Sequence, residues 1–269
     1  MSGRPWLMAG LALVAVVFLL FPFVVVVGAS FDSGEAFHVA FPPRGVTFAA
    51  YGAIPGKYLH AATISLVVAL TVAVLATVIG GAAALGLASG RLVGRTALEA
   101  FFRLPVQIPL VVSGAAFLQF YYQLASCTGL DLLDGLGGLI VAHTFAAVPY
   151  SVAAIGAVLA RFDRGLEEAA ESLGAGPWAT FWQVTFPTVR PGIVAGFFYA
   201  FIVSFGDVPI ALFVVQAKDT TIPVQLFLDM QFDFTPAMLA ASALVAFGSL
   251  ALLIAVQCVF GFSLAQSRR

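Results

Sequence analysis

Six long apolar segments constrain the fold of this chain more than any other feature of its sequence. They comprise residues 7–27, 59–87, 104–124, 136–159, 193–215 and 237–260. Each is long enough to cross about 30 Å of hydrocarbon as a helix that rises about 1.5 Å per residue. Charged residues make up only 9% of the chain, whereas soluble proteins average about 25%. We therefore predict an all-α integral membrane protein with six transmembrane helices.

The basic residues are distributed unequally between the two sides of the predicted membrane. Short cytoplasmic loops retain more Lys and Arg than exported loops do. If the N-terminus is cytoplasmic, the basic residues on that side are Arg4, Arg91, Arg95, Arg103, Arg161, Arg164, Arg190, Arg268 and Arg269. Those on the outer side are Arg44, Lys57 and Lys218. This distribution predicts that the N- and C-termini are both cytoplasmic.

The first apolar segment ends near small residues, at positions 28–30, that would also suit a signal-peptide cleavage site. Its apolar core is longer than the usual length of about 7–15 residues, so we expect a retained helix at residues 7–27. A five-helix core at residues 59–261 would follow, including a cytoplasmic loop at residues 161–191. The soluble segments are too short for a separate domain. We predict a single transmembrane domain over residues 1–269.

The polar loop between the fourth and fifth segments begins with a pattern that predicts a short amphipathic helix. Asp163 is placed to cap its start. One face is apolar at helical spacing and comprises Leu166, Ala169, Ala170 and Leu173. The opposite face carries Glu167, Glu168 and Glu171. Gly174 is predicted to end the helix, because glycine adopts left-handed backbone conformations readily.

A second helix is predicted directly after this glycine. Pro177 suits its first position, where no backbone N–H is needed. A mostly aromatic stripe follows, made of Trp178, Phe181, Trp182 and Thr185. Pro187 and Pro191 are predicted to stop the helix. The loop would therefore hold two short helices that meet at a glycine corner.

The residue order of this loop is specific. Its fixed positions are Glu168, Ala169, Ala170, Gly174, Val184, Phe186 and Pro187. The order resembles the coupling-loop signature of permease subunits of ATP-binding-cassette (ABC) importers, in which Ile and Leu stand at the positions of Val184 and Phe186. An amphipathic helix that lies on the membrane surface is the alternative, but the offsets of Gly174 and Pro187 favour the importer signature.

Further motifs occur along most of the chain, from Ser30 to the sixth segment. They are Ser30-Phe31, Phe41-Pro42-Pro43-Arg44-Gly45 with Tyr51, Ala142-His143-Thr144 with Pro149-Tyr150, Ser204-Phe205-Gly206-Asp207-Val208, Thr220-Thr221-Ile222-Pro223 and Phe234-Thr235-Pro236. Their order is similar to that of the spermidine/putrescine branch of binding-protein-dependent type I importers. The resemblance implies a type I ABC importer permease fold.

Two positions bear on the solute that such a permease would carry. Sulfate- and molybdate-type permeases tend to have Gly-Glu where this chain has Gly206-Asp207. In the polyamine branch the residue before the aspartate is often acidic, whereas here it is Gly206. That branch also includes permeases for phosphonates and other small organic solutes. The resemblance therefore implies a polyamine-like or related organic solute, such as a phosphonate.

Four residues are candidates for the substrate path, namely Asp207, His143, Tyr150 and Ser204. Asp207 is predicted inside the fifth segment, where an ionised carboxylate facing lipid would cost about 2.5–3.5 kcal/mol. It is either a structural residue bonded to the nearby backbone or Ser204, or it lines the path. His143 is either packed or exposed to solute, and it has no second His or Cys at metal-binding spacing. Tyr150 would stack on a cationic solute or anchor its helix.

The resemblance implies that this chain is one subunit of a multi-subunit transporter. The sequence has no glycine-rich loop ending in Gly-Lys-Ser/Thr, so we expect a non-catalytic permease without bound cofactor or metal, while ATP and Mg bind a dimer of ATPase subunits. The residues expected to couple to that ATPase are Glu167, Glu168, Ala169, Ala170, Leu173, Gly174 and Pro187. We further expect a second permease subunit forming a heterodimer, a periplasmic or lipid-anchored solute-binding protein, membrane lipid, and no nucleic acid. The expected location is the bacterial inner membrane.

The outer loop after the first segment has two possible roles. It either docks the solute-binding protein or is a solvated connection. Its polar candidates for docking are Asp32, Glu35, His38, Arg44 and Lys57.

Two other function classes are alternatives to an importer. A secondary transporter driven by an ion gradient would normally show inverted repeats and intramembrane charge pairs, whereas Asp207 is the one acidic residue clearly inside a predicted segment. An intramembrane enzyme would need a nucleophile and a base, or an acid pair, and His143 has only hydroxyls such as that of Thr144 beside it. An ABC importer permease is therefore the predicted function.

Overall fold

The computed structural model describes residues 5–33, 40–89, 92–232 and 234–266, and these residues are almost entirely helical. The helices are α1 (Pro5–Ala29), α2 (Ala49–Gly52), α3 (Gly56–Ala88), α4 (Arg95–Gln107), α5 (Leu110–Thr128), α6 (Gly137–Leu159), α7 (Gly165–Ser172), α8 (Pro177–Thr180), α9 (Phe186–Phe205), α10 (Ala211–Val214), α11 (Ile222–Met230) and α12 (Pro236–Gln266). Six residues used in the sequence arguments lie outside the described residues, namely Arg4, Glu35, His38, Arg91, Arg268 and Arg269.

Five described helices are long and apolar enough to cross a membrane. They are Met8–Ala29, Gly56–Ala88, Leu110–Thr128, Gly137–Leu159 and Pro177–Phe205. The apolar stretch Pro236–Ala251 of α12 is shorter. The prediction of an all-α membrane protein is confirmed, while the count of six spans and the cytoplasmic termini stay predictions.

The third predicted segment is not one helix. Ile108 is extended, with φ −86° and ψ 129°, and Pro109 directly precedes α5. A residue before proline avoids the α region because it would clash with the proline ring. The prediction of a continuous span over residues 104–124 was therefore wrong, since α4 ends before the break and α5 begins after it.

The fifth predicted segment was wrong at both ends. Its helix ends at Phe205 rather than at residue 215, since Gly206 follows and Val208 stands before Pro209, which disfavours helix. At the other end, Pro187 and Pro191 do not stop the preceding helix. A π-helical turn at Phe181–Thr185 joins α8 to α9, and the lost backbone bonds of prolines are tolerated in long apolar helices. The result is one helix over Pro177–Phe205.

The chain divides into two compact units, residues 1–59 with 226–269 and residues 60–225. In the first unit, α1 contacts α12 and α2 also packs on α12. A Cβ atom at Gly28 would lie 2.6 Å from the ring of Phe41. The absence of a side chain at Gly28 therefore lets the outer loop fold back onto the end of α1.

In the second unit, helices α3, α6 and α9 pack closely through small residues. A Cβ atom at Gly80 would lie 2.7 Å from Cβ of Ser151, and one at Gly192 would lie 3.1 Å from Cα of Ile155. The Ser151 hydroxyl also donates a hydrogen bond to the Gly196 carbonyl at 3.1 Å. Gly192 and Gly196 form a Gly-x-x-x-Gly pair, a spacing that lets helix backbones approach in membranes. These contacts fix α9 against α6.

We expect Gly80→Ala to destabilise the second unit by about 1–3 kcal/mol, the usual cost of overpacking a filled interface. The added methyl would also meet the Val152 backbone nitrogen at 3.0 Å, which is hard to displace. The measurement is the thermal unfolding midpoint of the purified protein in detergent. Gly81→Ala is the matched control, because its Cβ would meet only Ile155 Cδ1, at 3.5 Å. Equal midpoints for both variants would contradict this packing.

Candidate functional site

The start of α7 is held by a local carboxylate. The Asp163 Oδ1 atom accepts a hydrogen bond from the Gly165 N–H at 2.9 Å. Gly165 is the first residue of α7, so its N–H has no partner within the helix. Asp163 therefore supplies an acceptor for the start of the helix, as the sequence predicted, but from one residue before the N-cap position, which Arg164 occupies.

The end of α7 is a left-handed turn at Gly174. Its φ is +89°, a region that residues with a side chain rarely occupy. The Gly174 N–H donates to the Glu171 carbonyl at 2.9 Å, and the Ala175 N–H donates to the Ala170 carbonyl at 3.0 Å. This pair of bonds is the Schellman arrangement that closes helix C-termini. Gly174 ends the helix as predicted, and the corner between α7 and α8 is fixed by backbone bonds.

The apolar face of α7 is not covered by the described part of the chain. Leu173 is 89% exposed and Leu166 is 49% exposed. Glu167 instead points inward, where its carboxylate accepts a hydrogen bond from the Thr185 hydroxyl of the π-helical turn. The Glu168 side chain is exposed. We call the exposed surface formed by Leu166, Glu168, Ala169, Leu173 and Gly174 the corner surface.

A further hydrogen bond ties this loop to the end of α3. The Arg164 Nη1 atom donates to the Ser89 carbonyl at 3.1 Å. Ser89 and Arg164 also line a cavity of about 310 Å³ together with Glu167 and Thr185. The Glu167 and Thr185 link joins residues 18 positions apart, so no local sequence pattern indicates it. Glu167 is thus placed to position α7, and its contact with an ATPase stays a prediction.

We expect Thr185→Val to loosen α7 without unfolding the helices around it. The valine would leave the inward carboxylate of Glu167 without its donor, at a cost of about 1–3 kcal/mol. Hydrogen exchange of the backbone amides of residues 168–173 would then be faster by about tenfold or more. Thr185→Ser keeps the hydroxyl and is the control. If both variants exchange at the same rate, the bond does not hold the loop.

The segment after the corner is rich in aromatic residues. The ring centroids of Trp178 and Phe181 lie 6.5 Å apart, and those of Trp182 and Phe186 lie 4.9 Å apart. Trp178 and Trp182 are exposed, so the predicted stripe packs mainly along its own helix. Pro187 lies in the first turn of α9 and continues this helix into the apolar span.

The structure brings three of the four predicted path residues together. His143 on α6, Ser204 near the end of α9 and Asp207 just beyond it are all buried. The Nδ1 atom of His143 lies 3.0 Å from the Ser204 hydroxyl, and its Nε2 atom lies 3.3 Å from Asp207 Oδ1. The second contact is within ion-pair range but is not aligned as a hydrogen bond. We call these three residues the polar cluster.

Asp207 is held mainly by backbone donors. Its Oδ1 atom accepts hydrogen bonds from the N–H groups of Ile210 and Ala211, each at 3.0 Å. Ile210 is the N-cap residue of α10 and Ala211 begins it, so Asp207 binds the backbone at the start of this helix from the break that follows α9. The prediction that Asp207 lies within a helical span was wrong because Gly206 and Pro209 interrupt the helix there. Pro209 was the sequence signal for this break.

Tyr150 is separate from the polar cluster. It lies seven residues after His143 on α6, about 10 Å along the helix axis, and its side chain is exposed. Within the described part of the chain, no group of three or more His, Cys, Asp or Glu side chains is arranged to hold a metal ion.

Two of the described polar residues of the predicted outer loop make contacts within the protein. Asp32 is buried and accepts hydrogen bonds from the backbone N–H groups of Arg44, at 2.8 Å, and Ala40, at 3.1 Å. Lys57 forms an ion pair with Asp229 at 2.7 Å. Among the described candidates for docking a binding protein, Arg44 has an exposed side chain that forms neither contact.

A second outer contact joins two loops of the 60–225 unit. The Lys218 ammonium donates to Asp134 at 3.1 Å, and this bond raises the pKa of Lys218. The His60 ring nitrogen Nε2 lies 3.2 Å from the Lys218 carbonyl. Both side chains of the Lys218 and Asp134 pair are well exposed, so the pair adds little to stability.

The family model for the binding-protein-dependent transport system inner membrane component matches residues 76–261. This match covers more than half of the chain, including α5 to α11, the corner surface and the polar cluster. The chain belongs to this permease family. The resemblance inferred from the sequence is confirmed, and the chain is the permease component of a binding-protein-dependent ABC importer.

Individual relatives agree with this assignment. The permease is 30% identical over 244 residues to the putrescine transport system permease protein PotI of Escherichia coli, covering 90% of this chain and 85% of that one. It is 28% identical to the spermidine/putrescine permease PotC of Haemophilus influenzae, over 75% and 76% of the two chains. The probable sulfate permease cysT of Chlorokybus atmophyticus is 34% identical over 65% of this chain and 62% of its own.

Solved structures support the fold. A bacterial ABC transporter involved in the import of the acidic polysaccharide alginate aligns with a TM-score of 0.67, covering 96% of this permease and 97% of that chain at 17% identity. An amino acid ABC transporter aligns with a TM-score of 0.56 over 83% and 99% of the chains, at 18% identity. At such low identity these similarities show the type I permease fold alone. The permease is a multi-pass membrane protein, and its family implies ATPase and solute-binding partners.

Proposed function

We propose that this permease imports a small polyamine-like organic solute and that the corner surface transmits the motion of a partner ATPase. The observation that carries the coupling proposal is the exposed apolar face of α7 next to a rigid left-handed corner. Exposed Leu166 and Leu173 beside charged Glu168 suit a protein interface with an apolar centre and polar rim. ATP and Mg would bind the ATPase dimer, and this chain would bind no cofactor.

The proposed assembly follows the family. The permease pairs with a second, different permease subunit in the bacterial inner membrane, with the corner surface in the cytoplasm. A solute-binding protein delivers the solute from outside. Closure of the ATPase dimer biases the permease between inward-open and outward-open states. Glu167 and Thr185 keep α7 at a fixed angle to the helix that continues into α9.

The polyamine proposal rests on the breadth of the similarity. The relative named for putrescine transport matches 90% of this chain, whereas the relative named for sulfate matches 65%. The polar cluster also bears on the cargo, because it places the Asp207 carboxylate beside the His143 imidazole and contains no Arg or Lys. This arrangement does not offer the dense positive charge that an oxyanion such as sulfate would require.

The coupling role is tested by photocrosslinking in native membranes. A photoreactive amino acid at Leu173 should crosslink to the ATPase subunit, because that side chain is exposed at the corner surface. The same probe at Val46, which is 76% exposed on the outer loop, is the control and should not. Crosslinking of the ATPase from Val46, or its absence from Leu173, would overturn both the coupling role and the proposed orientation.

The solute is tested by uptake into membrane vesicles that contain the complete transporter. Radiolabelled putrescine should accumulate only when ATP and the binding protein are supplied, and excess spermidine should compete. Radiolabelled sulfate and a simple phosphonate are the comparison solutes. Preferential uptake of either would replace the polyamine proposal, and uptake that persists without ATP would favour a secondary transporter driven by an ion gradient.

A further inference from the structure

An arginine-lined cleft lies between α3, α4 and α6, away from the polar cluster. Its volume is about 680 Å³. The charged residues that line it are Arg95, Glu99, Arg103 and Arg164. Three positive charges against one negative charge leave the cleft with a net charge of +2. We call it the arginine cleft.

The three arginines differ in the hydrogen bonds that they already make within the protein. Arg95 Nε donates to Glu99 Oε1 at 2.8 Å, and Arg164 donates to the Ser89 carbonyl. Arg103 has no hydrogen bond or ion pair with any residue that the structure describes, and its side chain is exposed. A guanidinium group is a rigid fork of donors that matches the oxygens of a phosphate. Arg103 is therefore free to bind an anion in this cleft.

The rest of the cleft is apolar and elongated. Along α6 its lining runs from Pro149 to Ala160, about 16 Å at about 1.5 Å per residue. That distance is close to half of the hydrocarbon thickness of about 30 Å. Between these ends the wall is made of small apolar residues, including Ala153, Gly156 and Ala157. The cleft therefore has the length of one leaflet, with an apolar interior.

A basic rim joined to a leaflet-deep apolar groove matches a phospholipid. Basic pockets between transmembrane helices on the cytoplasmic side bind anionic head groups, and the charge distribution of the sequence predicts that the arginine end is cytoplasmic. The net positive charge would repel a cationic solute, so the cleft does not suit the proposed cargo. A free phosphate would satisfy the arginines but would leave the apolar groove unused.

We infer that the arginine cleft binds the phosphate of an anionic phospholipid from the cytoplasmic leaflet, with an acyl chain along α6. Arg103 would hold the phosphate, while Arg95 and Arg164 add positive charge to the same cleft. Because the lipid sits between α4 and α6, it would fill a space that the described helices leave open.

The test is native mass spectrometry of the full-length, delipidated permease titrated with phosphatidylglycerol or phosphatidylcholine of the same acyl chains. We expect phosphatidylglycerol to bind more tightly, and Arg103→Gln to weaken it about fivefold, the effect of one basic residue near an anionic lipid surface. Arg190→Gln is the control, because Arg190 is exposed and does not line the cleft. Equal weakening by both variants, or none by Arg103→Gln, would overturn the inference.

A second variant separates a lipid from a free anion. A Cβ atom at Gly156 meets nothing within 4 Å, so Gly156→Leu should fill the apolar groove without disturbing the backbone. It should weaken phosphatidylglycerol binding about fivefold or more and leave the thermal unfolding midpoint unchanged. Inorganic phosphate is titrated in parallel. If phosphate competes fully and Gly156→Leu has no effect, the cleft is a free-anion site and the lipid inference fails. The readout is lipid binding, so it does not depend on the cargo or on the coupling role.

Discussion

Gly174→Asp should abolish most solute uptake while the permease still inserts and folds. A Cβ atom at Gly174 meets no other atom within 4 Å, and aspartate tolerates the left-handed backbone better than most residues do. The cost to the permease itself should therefore be small. On the corner surface, however, a new carboxylate would be buried without a partner against the ATPase, which costs about 2–5 kcal/mol in an interface. Since 1.4 kcal/mol is tenfold in affinity, uptake should fall about tenfold or more.

The matched control for this variant is Gly176→Asp. Gly176 is two residues away, is exposed and has open space around its Cβ position, but its φ is −73° and requires no glycine. Gly176→Asp adds the same negative charge two residues after the left-handed turn at Gly174. We expect Gly176→Asp to retain most uptake. The measurements are ATP-dependent uptake into vesicles, ATPase activity of the complex and the amount of permease in the membrane. Normal uptake by Gly174→Asp at normal expression would remove this residue from the coupling role.

Substitution of Asp207 should have the second large effect on stability and solute uptake. Comparing alanine with asparagine at this position shows whether backbone hydrogen bonds or the carboxylate charge cause the effect. Asp207→Ala would remove the acceptor for the N–H groups of Ile210 and Ala211 in a buried position. Each unpaired buried donor costs about 1–3 kcal/mol, so the variant should unfold at a clearly lower temperature and lose uptake. Asp207→Asn keeps a side-chain oxygen that can accept the same two backbone hydrogen bonds.

The asparagine variant therefore separates a positioning role from a charge in the substrate path. If Asp207 acts by holding the start of α10, Asp207→Asn should keep the unfolding midpoint and most of the uptake rate. This is the result we expect, because the described bonds to Oδ1 come from the backbone. If stability is kept but uptake of a cationic solute is lost, the carboxylate charge itself meets the solute. Ser204→Ala removes the hydroxyl beside His143. Its unfolding midpoint and uptake rate show whether the other residues of the polar cluster matter as much as Asp207.

Local signals predicted α7 and its corner well. Asp163 and Gly174 act on backbone groups within a few residues, so their effect is visible in the order of the residues alone. The first, second and fourth apolar spans were also predictable, since their apolar composition is that of helices surrounded by lipid. The family resemblance followed from the same loop, and the comparisons confirmed it.

The sequence was less informative where hydrogen bonding decides the structure. Val208 and Ile210 are apolar, so hydropathy alone predicts that the helix continues through Asp207. Pro209 is the local signal that the helix is interrupted there. The contact between His143 and Ser204 joins residues 61 positions apart, and the bond between Glu167 and Thr185 crosses the whole loop. Such partners are selected by the packing of α6 on α9, which no short pattern encodes.

The helix from Pro177 to Phe205 connects the corner surface to the polar cluster without interruption. Its 29 residues correspond to about 43 Å at about 1.5 Å per residue. One end lies at the corner beside α7, and the other ends just before Asp207. If the proposed coupling is correct, a sideways movement of the end beside α7, about the contact of Gly192 and Gly196 with α6, would move the opposite end in the other direction. Two short helices joined by a flexible hinge would absorb that movement, whereas one continuous helix would transmit it to the residues of the polar cluster.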